Sequence, residues 1–148
     1  MHGNRCGIRA GVPIVAALCL LLSACSEDES TAPGDTTPPS KVTDLAAIAP
    51  TANTVKLTWT SPGDDGAAGT AAQYDIRSSL NPLTEAVWPL ATQAAGEPSP
   101  RAAGSRDTFV VTGLEPNTLY YFSLKAADEA GNWSEKSIIA SANTTAAP

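Results

Sequence analysis

Residues 41–148 predict an all-β fold, one two-sheet antiparallel sandwich. Three observations carry that reading. Apolar and polar residues alternate in short runs, the pattern of half-buried strands whose successive side chains face opposite ways. Gly, Pro, Asn and Asp bound those runs, and 12 Pro and 11 Gly in 148 residues punctuate the chain too densely for long helices. After Lys41 no segment repeats its apolar residues at the three-and-four spacing of an amphipathic helix.

Residues 1–40 precede the sandwich. Arg5 and Arg9 lead into an apolar run from Val12 to Leu22, closed by the small residues Ser23 and Ala24. That is the layout of a secretory signal. As a helix the run rises about 16 Å, about half of a bilayer core of about 30 Å, so it is expected to be read and removed rather than kept as a span. Leu22-Ser23-Ala24-Cys25 resembles a bacterial lipobox at all four positions. The resemblance implies removal of residues 1–24, a diacylglyceryl group on the Cys25 thiol and an acylated new amino terminus. Ser26, where retention in the inner membrane calls for Asp, implies sorting to the outer membrane of a Gram-negative envelope. The alternative is an ordinary signal peptide with Cys25 a bystander. Cys6 and Cys19 fall in the removed segment, so Cys25 is the sole cysteine expected in the mature chain. No intramolecular disulfide can then form, and the core alone has to hold the domain.

Cys25 to Ser40 reads as a disordered acidic tether. Glu27, Asp28, Glu29 and Asp35 mix with Ser, Thr, Gly and Pro, and no large apolar side chain is present to bury. The fourteen residues from Ser26 to Pro39 reach about 20 Å as a flexible coil and about 43 Å in polyproline geometry. Without Arg5 and Arg9, seven basic residues face 15 acidic ones. That balance repels anionic headgroups and nucleic acid alike, so membrane attachment is expected through lipid and no nucleic-acid partner is expected. The one histidine is His2, inside the removed segment, which leaves no histidine-based triad or His-rich metal site.

The strands follow in order. Val42 to Ile48 is the expected first strand. Val55, Leu57 and Trp59 alternate with Lys56, Thr58 and Thr60, which assigns the first set to the core and the second to water. Tyr74 and Ile76 alternate with Asp75 and Arg77. Phe109 and Val111 point inward, as do Tyr120, Phe122, Leu124 and Ala126, with Tyr121, Ser123, Lys125 and Ala127 outward. Ile138 to Thr144 closes the sandwich. Residues 79–104 exceed what a plain sandwich needs. Asn81-Pro82-Leu83 predicts a cap and first turn of a short helical segment to about Val87. Trp88 to Gln93 follows as an extra edge strand, where Pro89 is tolerated, and Gly96 to Ala103 as a mobile loop.

From Thr37 to Thr145 these residues resemble a fibronectin type III domain of the immunoglobulin-like class. Trp59 fills the space between sheets, and Gly113-Leu114-Glu115-Pro116-Asn117-Thr118-Leu119-Tyr120 resembles the tyrosine corner, in which the Tyr hydroxyl bonds back to the turn before its strand. Thr58 to Asp65, Gly69-Thr70-Ala71 and Tyr74 to Arg77 are similar to the domains repeated in bacterial secreted proteins, and to the fibronectin-like C-terminal domain of calcium-activated chloride channel regulators. The resemblance assigns Trp59, Tyr74, Leu114 and Tyr120 to the core.

No motif for a nucleophile, phosphate or zinc is present, and adjacent Asp64 and Asp65 would point apart in an extended segment. No catalysis is expected. In a sandwich the loop from Ser61 to Thr70 and that from Asp128 to Ser134 emerge at one pole, beside the tether. Asp64, Asp65, Asp128, Glu129 and Asn132 are therefore candidates for a weak Ca2+ site, since calcium takes six to eight oxygens. The same residues are also what ion-free tight turns prefer. Trp88 and Trp133 are the candidates for ligand contact, because an exposed Trp stacks on sugars and anchors partners. Covering the sandwich flanks is the other role open to them. The expected protein is a non-catalytic cell-envelope lipoprotein displaying one module for protein or glycan contacts. An envelope spacer without a ligand, or an accessory subunit of an envelope enzyme or secretion assembly, are the alternatives.

Overall fold

The computed structural model describes residues 34–148; the signal segment, Cys25 and the first part of the tether lie outside the described residues. Seven strands follow in chain order: β1 (Ala46–Ile48), β2 (Thr54–Thr60), β3 (Gln73–Ser79), β4 (Thr92–Gln93), β5 (Arg106–Thr112), β6 (Leu119–Ala127) and β7 (Ala140–Asn143). They form a three-stranded sheet, β1-β2-β5, and a four-stranded sheet, β4-β3-β6-β7. Every pairing is antiparallel. This is the predicted all-β two-sheet sandwich.

The alternation sets the register. Val55 lies opposite Val111 and Leu57 opposite Phe109, while Tyr74 faces Ala126 and Ile76 faces Leu124 across the other sheet. Their side chains meet between the layers with Val42, Leu45, Leu114 and Phe122. Trp59 sits at the centre, fully buried, edge-on to the Tyr74 ring at 5.1 Å and 88°. The tyrosine corner forms as expected: the Glu115 N–H donates to the Tyr120 hydroxyl at 3.0 Å, and buried Leu114 seals the turn.

The outer strands are shorter than the alternation suggests, because side chains take over the ladder. At the start, Asp44 leaves β1 and its carboxylate accepts the Thr60 N–H at 2.9 Å and the Thr60 hydroxyl at 2.7 Å. Before β7, Ser134 and Ser137 run beside β6. Their hydroxyl oxygens accept the N–H groups of Ala126 and Leu124, each at 3.0 Å, where a strand would offer carbonyls. Ser123, expected in water, is thereby fully buried against Ser137. Thr58 is likewise not on a wet face. It is 7% exposed, with the Arg106 guanidinium 3.5 Å from its hydroxyl.

The insertion folds differently from the expectation in three places. The helical segment is a turn closed by Val87 and Trp88 donating to the Thr84 carbonyl at 3.1 and 2.9 Å, and it runs on past Val87 into a short 3-10 segment at Trp88–Leu90, because Pro89 supplies its fixed φ there. The edge strand shrinks to β4. Residues 96–103 form a fastened strap: Ala103 donates to the Gly69 carbonyl, Gly104 to that of Ser61, and the Ser61 hydroxyl to that of Arg101 at 2.6 Å. The tether end is fastened too. Gly66 donates to the Pro38 carbonyl and Ser40 to the Gly66 carbonyl, so the ordered domain begins before Lys41.

Replacing Trp59 by Ala should cost about 3 to 5 kcal/mol, the range for emptying a large aromatic site in a tight core. Thr108→Ala, on the exposed outer face of β5, should cost about 0.5 kcal/mol or less. Urea denaturation of both variants checks the pair, and equal losses would contradict the inward assignment of Trp59.

Candidate functional site

Five acidic residues gather where three segments meet: the tether end, the β2–β3 loop and the β6–β7 loop. The β2–β3 loop is wound tightly. Gly63 donates to Gly66 at 3.0 Å, Asp64 to the Ala68 carbonyl at 2.6 Å and Ala68 to that of Asp65 at 3.1 Å. A Cβ on Gly63 would meet the Ala68 carbonyl oxygen at 2.0 Å, so only glycine allows this approach. The β6–β7 loop closes on itself through Asp128, whose carboxylate accepts the Asn132 main-chain N–H at 2.7 Å and its side-chain amide at 2.8 Å. The same Asn132 amide donates to the Asp35 carbonyl at 3.0 Å, tying the tether end to the loop.

Asp64, Asp65, Asp128 and Glu129 thus converge at one pole, and Asp35, read from the sequence only as part of the tether, joins them. Its signal was the tight turn before Pro38-Pro39, where the Thr37 N–H meets the Asp35 carboxylate at 2.9 Å. The electrostatics divide the cluster in two. The Asp35 carboxylate, with partial burial and the charges of Glu129 and Asp128, pushes the Asp65 carboxyl above its ordinary range. Burial and Glu129, then Asp65 and Asp128, push Asp64 up likewise. Asp128 goes the other way. Burial pulls it up, but the bonds from Asn132, Gly131 and Ala130 outweigh that and hold it low. Asp128 and Asn132 already spend oxygens and N–H groups on the turn. Among the described residues no group of three or more acidic, His or Cys side chains is gathered closely enough to hold a metal ion.

The two tryptophans part company. Trp88 is 8% exposed and lies over the outer face of the four-stranded sheet, against Arg77 of β3 and Lys125 of β6. Arg77 stacks 4.9 Å and Lys125 5.2 Å from its ring centre, and Arg77 also donates to the Trp88 carbonyl at 2.9 Å. Its ring has cations in place of a ligand. Trp133, in the β6–β7 loop next to Asn132, is 43% exposed and paired through its main chain only as an isolated bridge to Ala127.

A polar network between Tyr74 and the strap escaped the sequence reading. The Tyr74 hydroxyl donates to the Asp107 carboxylate at 2.7 Å and lies 3.0 Å from the Ser61 hydroxyl. Asp107 is 3% exposed. The Arg101 guanidinium stands 3.4 Å from it, and the Arg101 N–H donates to it at 3.3 Å. Burial pushes the Tyr74 hydroxyl well above its ordinary pKa, so it stays a donor. Asp107 was invisible because it occupies an inward position in a strand read as apolar.

Three strands paired over four with a tyrosine corner define a β-sandwich module. The chain belongs to the fibronectin type III domain family, which residues 38–140 match. It is 35% identical to Exoglucanase A of Cellulomonas fimi over 113 residues, 76% of this chain and 11% of that protein. With Chitinase A1 of Niallia circulans it shares 33% identity over 114 residues, 76% of this chain and 13% of that one. Over 49 residues, 33% of this chain and 5% of the relative, it is 51% identical to Calcium-activated chloride channel regulator 1 of Sus scrofa. The chain therefore spans about an eighth or less of these relatives, and the likeness to both enzymes lies in a small portion of each. Among solved structures it matches the chicken CNTN1 FN1-FN3 domains, with a TM-score of 0.56, 26% identity, and 75% of this chain and 34% of that chain covered.

The pole's two kinds of carboxylate should respond to pH with opposite sign. Asp64 and Asp65 are raised on folding, so their protonated forms favour the fold below about pH 4 and that advantage is lost as pH rises. Asp64→Asn should therefore raise the melting temperature at pH 7 and lose its benefit near pH 3. Asp128 is lowered, so Asp128→Ala should destabilise at pH 7, with a cost that shrinks as pH falls. Melts at the two pH values check both, and parallel behaviour of the two variants would contradict the division.

Proposed function

We propose that this protein is a non-catalytic cell-envelope lipoprotein, anchored through Cys25 in the outer membrane and presenting its fibronectin type III module for contacts with envelope protein or glycan. The observation that carries this reading is the lipobox, Leu22 to Cys25, standing ahead of an acidic tether and one sandwich module. Lipid is the strong attachment in this scheme, since each buried methylene contributes about 0.8 kcal/mol and two or three chains together give stable anchoring where one alone is marginal. The acidic module then stands off the anionic headgroups.

The choice of ligand class rests on two supports. Of the relatives that match most of the module, two are an exoglucanase and a chitinase, enzymes of polysaccharides by name, beside a calcium-activated chloride channel regulator. Trp133 supplies an exposed aromatic face of the kind that stacks on sugar rings. Trp88, under Arg77 and Lys125, does not enter this proposal. A calcium ion is not required by it either, because turn hydrogen bonds account for the Asp128 and Asn132 geometry.

Cys25→Ala should abolish incorporation of labelled fatty acid and leave the chain unprocessed or released from membranes. A wild type that takes up no label, or a mature membrane-bound Cys25→Ala form, would rule the anchor out. Retention on insoluble chitin or β-glucan should fall several-fold, up to about tenfold, in Trp133→Ala, since stacking of this kind contributes about 0.5 to 1.5 kcal/mol. No retention of the wild type on either polymer would move the proposal to a protein partner, and no partner from intact envelopes would leave the spacer reading.

A further inference from the structure

The two sheets part where β4 faces β5, and a cleft of about 320 Å3 opens between the layers, at the lower end of the about 300 to 1,000 Å3 that small-molecule sites span. Ser78, Thr92 and Tyr120 border it from the four-stranded sheet, and Phe109, Val111 and Leu114 from β5 and the turn after it. Among the described residues no charged side chain borders it. Ser78 is the unexpected member. Alternation along β3 turns it inward with Tyr74 and Ile76, and it is 7% exposed. Thr92 lies directly opposite on β4, so the two side chains stand on the same face. The neighbouring Ser79 hydroxyl accepts the Asn81 N–H at 3.0 Å, whereas among the described residues no group bonds the hydroxyl of Ser78. The Tyr120 hydroxyl accepts the Glu115 N–H, and its own proton meets no acceptor among those residues.

A hydroxyl held inward without a partner weakens the fold, because it gives up water and gains no bond in return. Alanine at that position would carry no such cost. A ligand with hydroxyls of its own removes it, and the lining describes that ligand. Ions are excluded, since a cleft without a counter-charge would have to desolvate them unpaired. The partly buried Phe109 ring offers an apolar wall, and the hydroxyls of Ser78, Thr92 and Tyr120 stand on the sheet across from it. A neutral sugar ring matches that division, with C–H bonds on its faces and hydroxyls around its rim. We propose that the cleft between β4 and β5 binds one ring of an uncharged glycan, with Phe109 against the face of the ring and Ser78 and Thr92 on its rim. This rests on the glycan reading above and gives it a site apart from Trp133, which does not border the cleft.

Titration of the full chain, in a detergent without a sugar headgroup, with the trisaccharides of β-linked glucose and of β-linked N-acetylglucosamine tests the cleft. At least one of them should shift the amide resonances of Ser78, Thr92 and Phe109. Ser78→Ala and Thr92→Val should each bind that sugar several-fold more weakly, up to about tenfold, the loss expected for one hydrogen bond. Ser78→Ala should also raise the melting temperature of the free protein, because it removes an unpaired hydroxyl. A lower melting temperature would show that the hydroxyl already has a partner, and would overturn the proposal. Shifts confined to other residues overturn it too, as do wild-type affinity in both variants and the absence of any binding. Failure of the glycan reading itself looks different, because the wild type is then not retained on chitin or β-glucan either. Retention that is lost in Trp133→Ala and unchanged in Ser78→Ala and Thr92→Val overturns the cleft and keeps that reading.

Discussion

Everything else in this domain hangs on the contact between Trp59 and Tyr74. Trp59 belongs to the three-stranded sheet and Tyr74 to the four-stranded one, and their edge-to-face packing at 5.1 Å joins the layers at the centre. With Cys25 outside the sandwich, no disulfide backs up that contact. Tyr74 carries the core outward as well. Its ring fills the interior while its hydroxyl satisfies Asp107, a carboxylate that would be costly to bury alone. Asp107 in turn holds Arg101 and hence the strap. One aromatic pair thus links the sheet packing to the most irregular segment of the surface.

A second regularity runs through the margins. Wherever a strand stops early, a side-chain oxygen stands where the next carbonyl would be. Asp44 serves Thr60, Ser134 and Ser137 serve β6, and Glu97 serves Ile76. A main-chain N–H left without an acceptor in a buried sheet loses the full cost of its desolvation. A carboxylate or hydroxyl meets that requirement with no further strand. The serines then pass their own protons to neighbouring carbonyls, those of Glu135 and Ile138. Short strands are therefore compatible with a fully bonded sheet, and the module can be finished by loops.

This accounts for what was legible in the sequence. Alternation marked Val55 to Trp59, Tyr74 to Ile76 and Phe122 to Ala126 because those residues answer only to the inside or outside of a sheet. The corner was legible because Leu114 and Tyr120 sit at a fixed spacing around a turn. Strand ends were not legible, since Ser134, Ser137, Asp44 and Glu97 look like ordinary surface residues until their acceptors are placed. The outer face of β6 misled for a related reason. Ser123 and Ala127 alternate as if in water, yet Trp88, Trp133 and Ser137 come back beside that strand from elsewhere in the chain. Of the candidate site, the convergence of Asp64, Asp65, Asp128 and Glu129 follows from topology alone, whereas the docking of Asp35 depends on a single amide, that of Asn132.

That amide answers part of the acidic pole's own repulsion. Bringing carboxylates together costs energy, and a bound ion is one remedy. The loops supply another. Asn132 and the turn amides stabilise the Asp128 carboxylate from within its own loop, and the remaining repulsion shows as the raised pKa of Asp64 and Asp65. The Asn132 side chain spans both solutions, because the same nitrogen that steadies Asp128 also reaches the Asp35 carbonyl. The point at which the chain enters the domain is thereby coupled to the turn that carries Trp133. A change in the charge of the pole would act first on that turn, and through it on the one exposed tryptophan among the described residues.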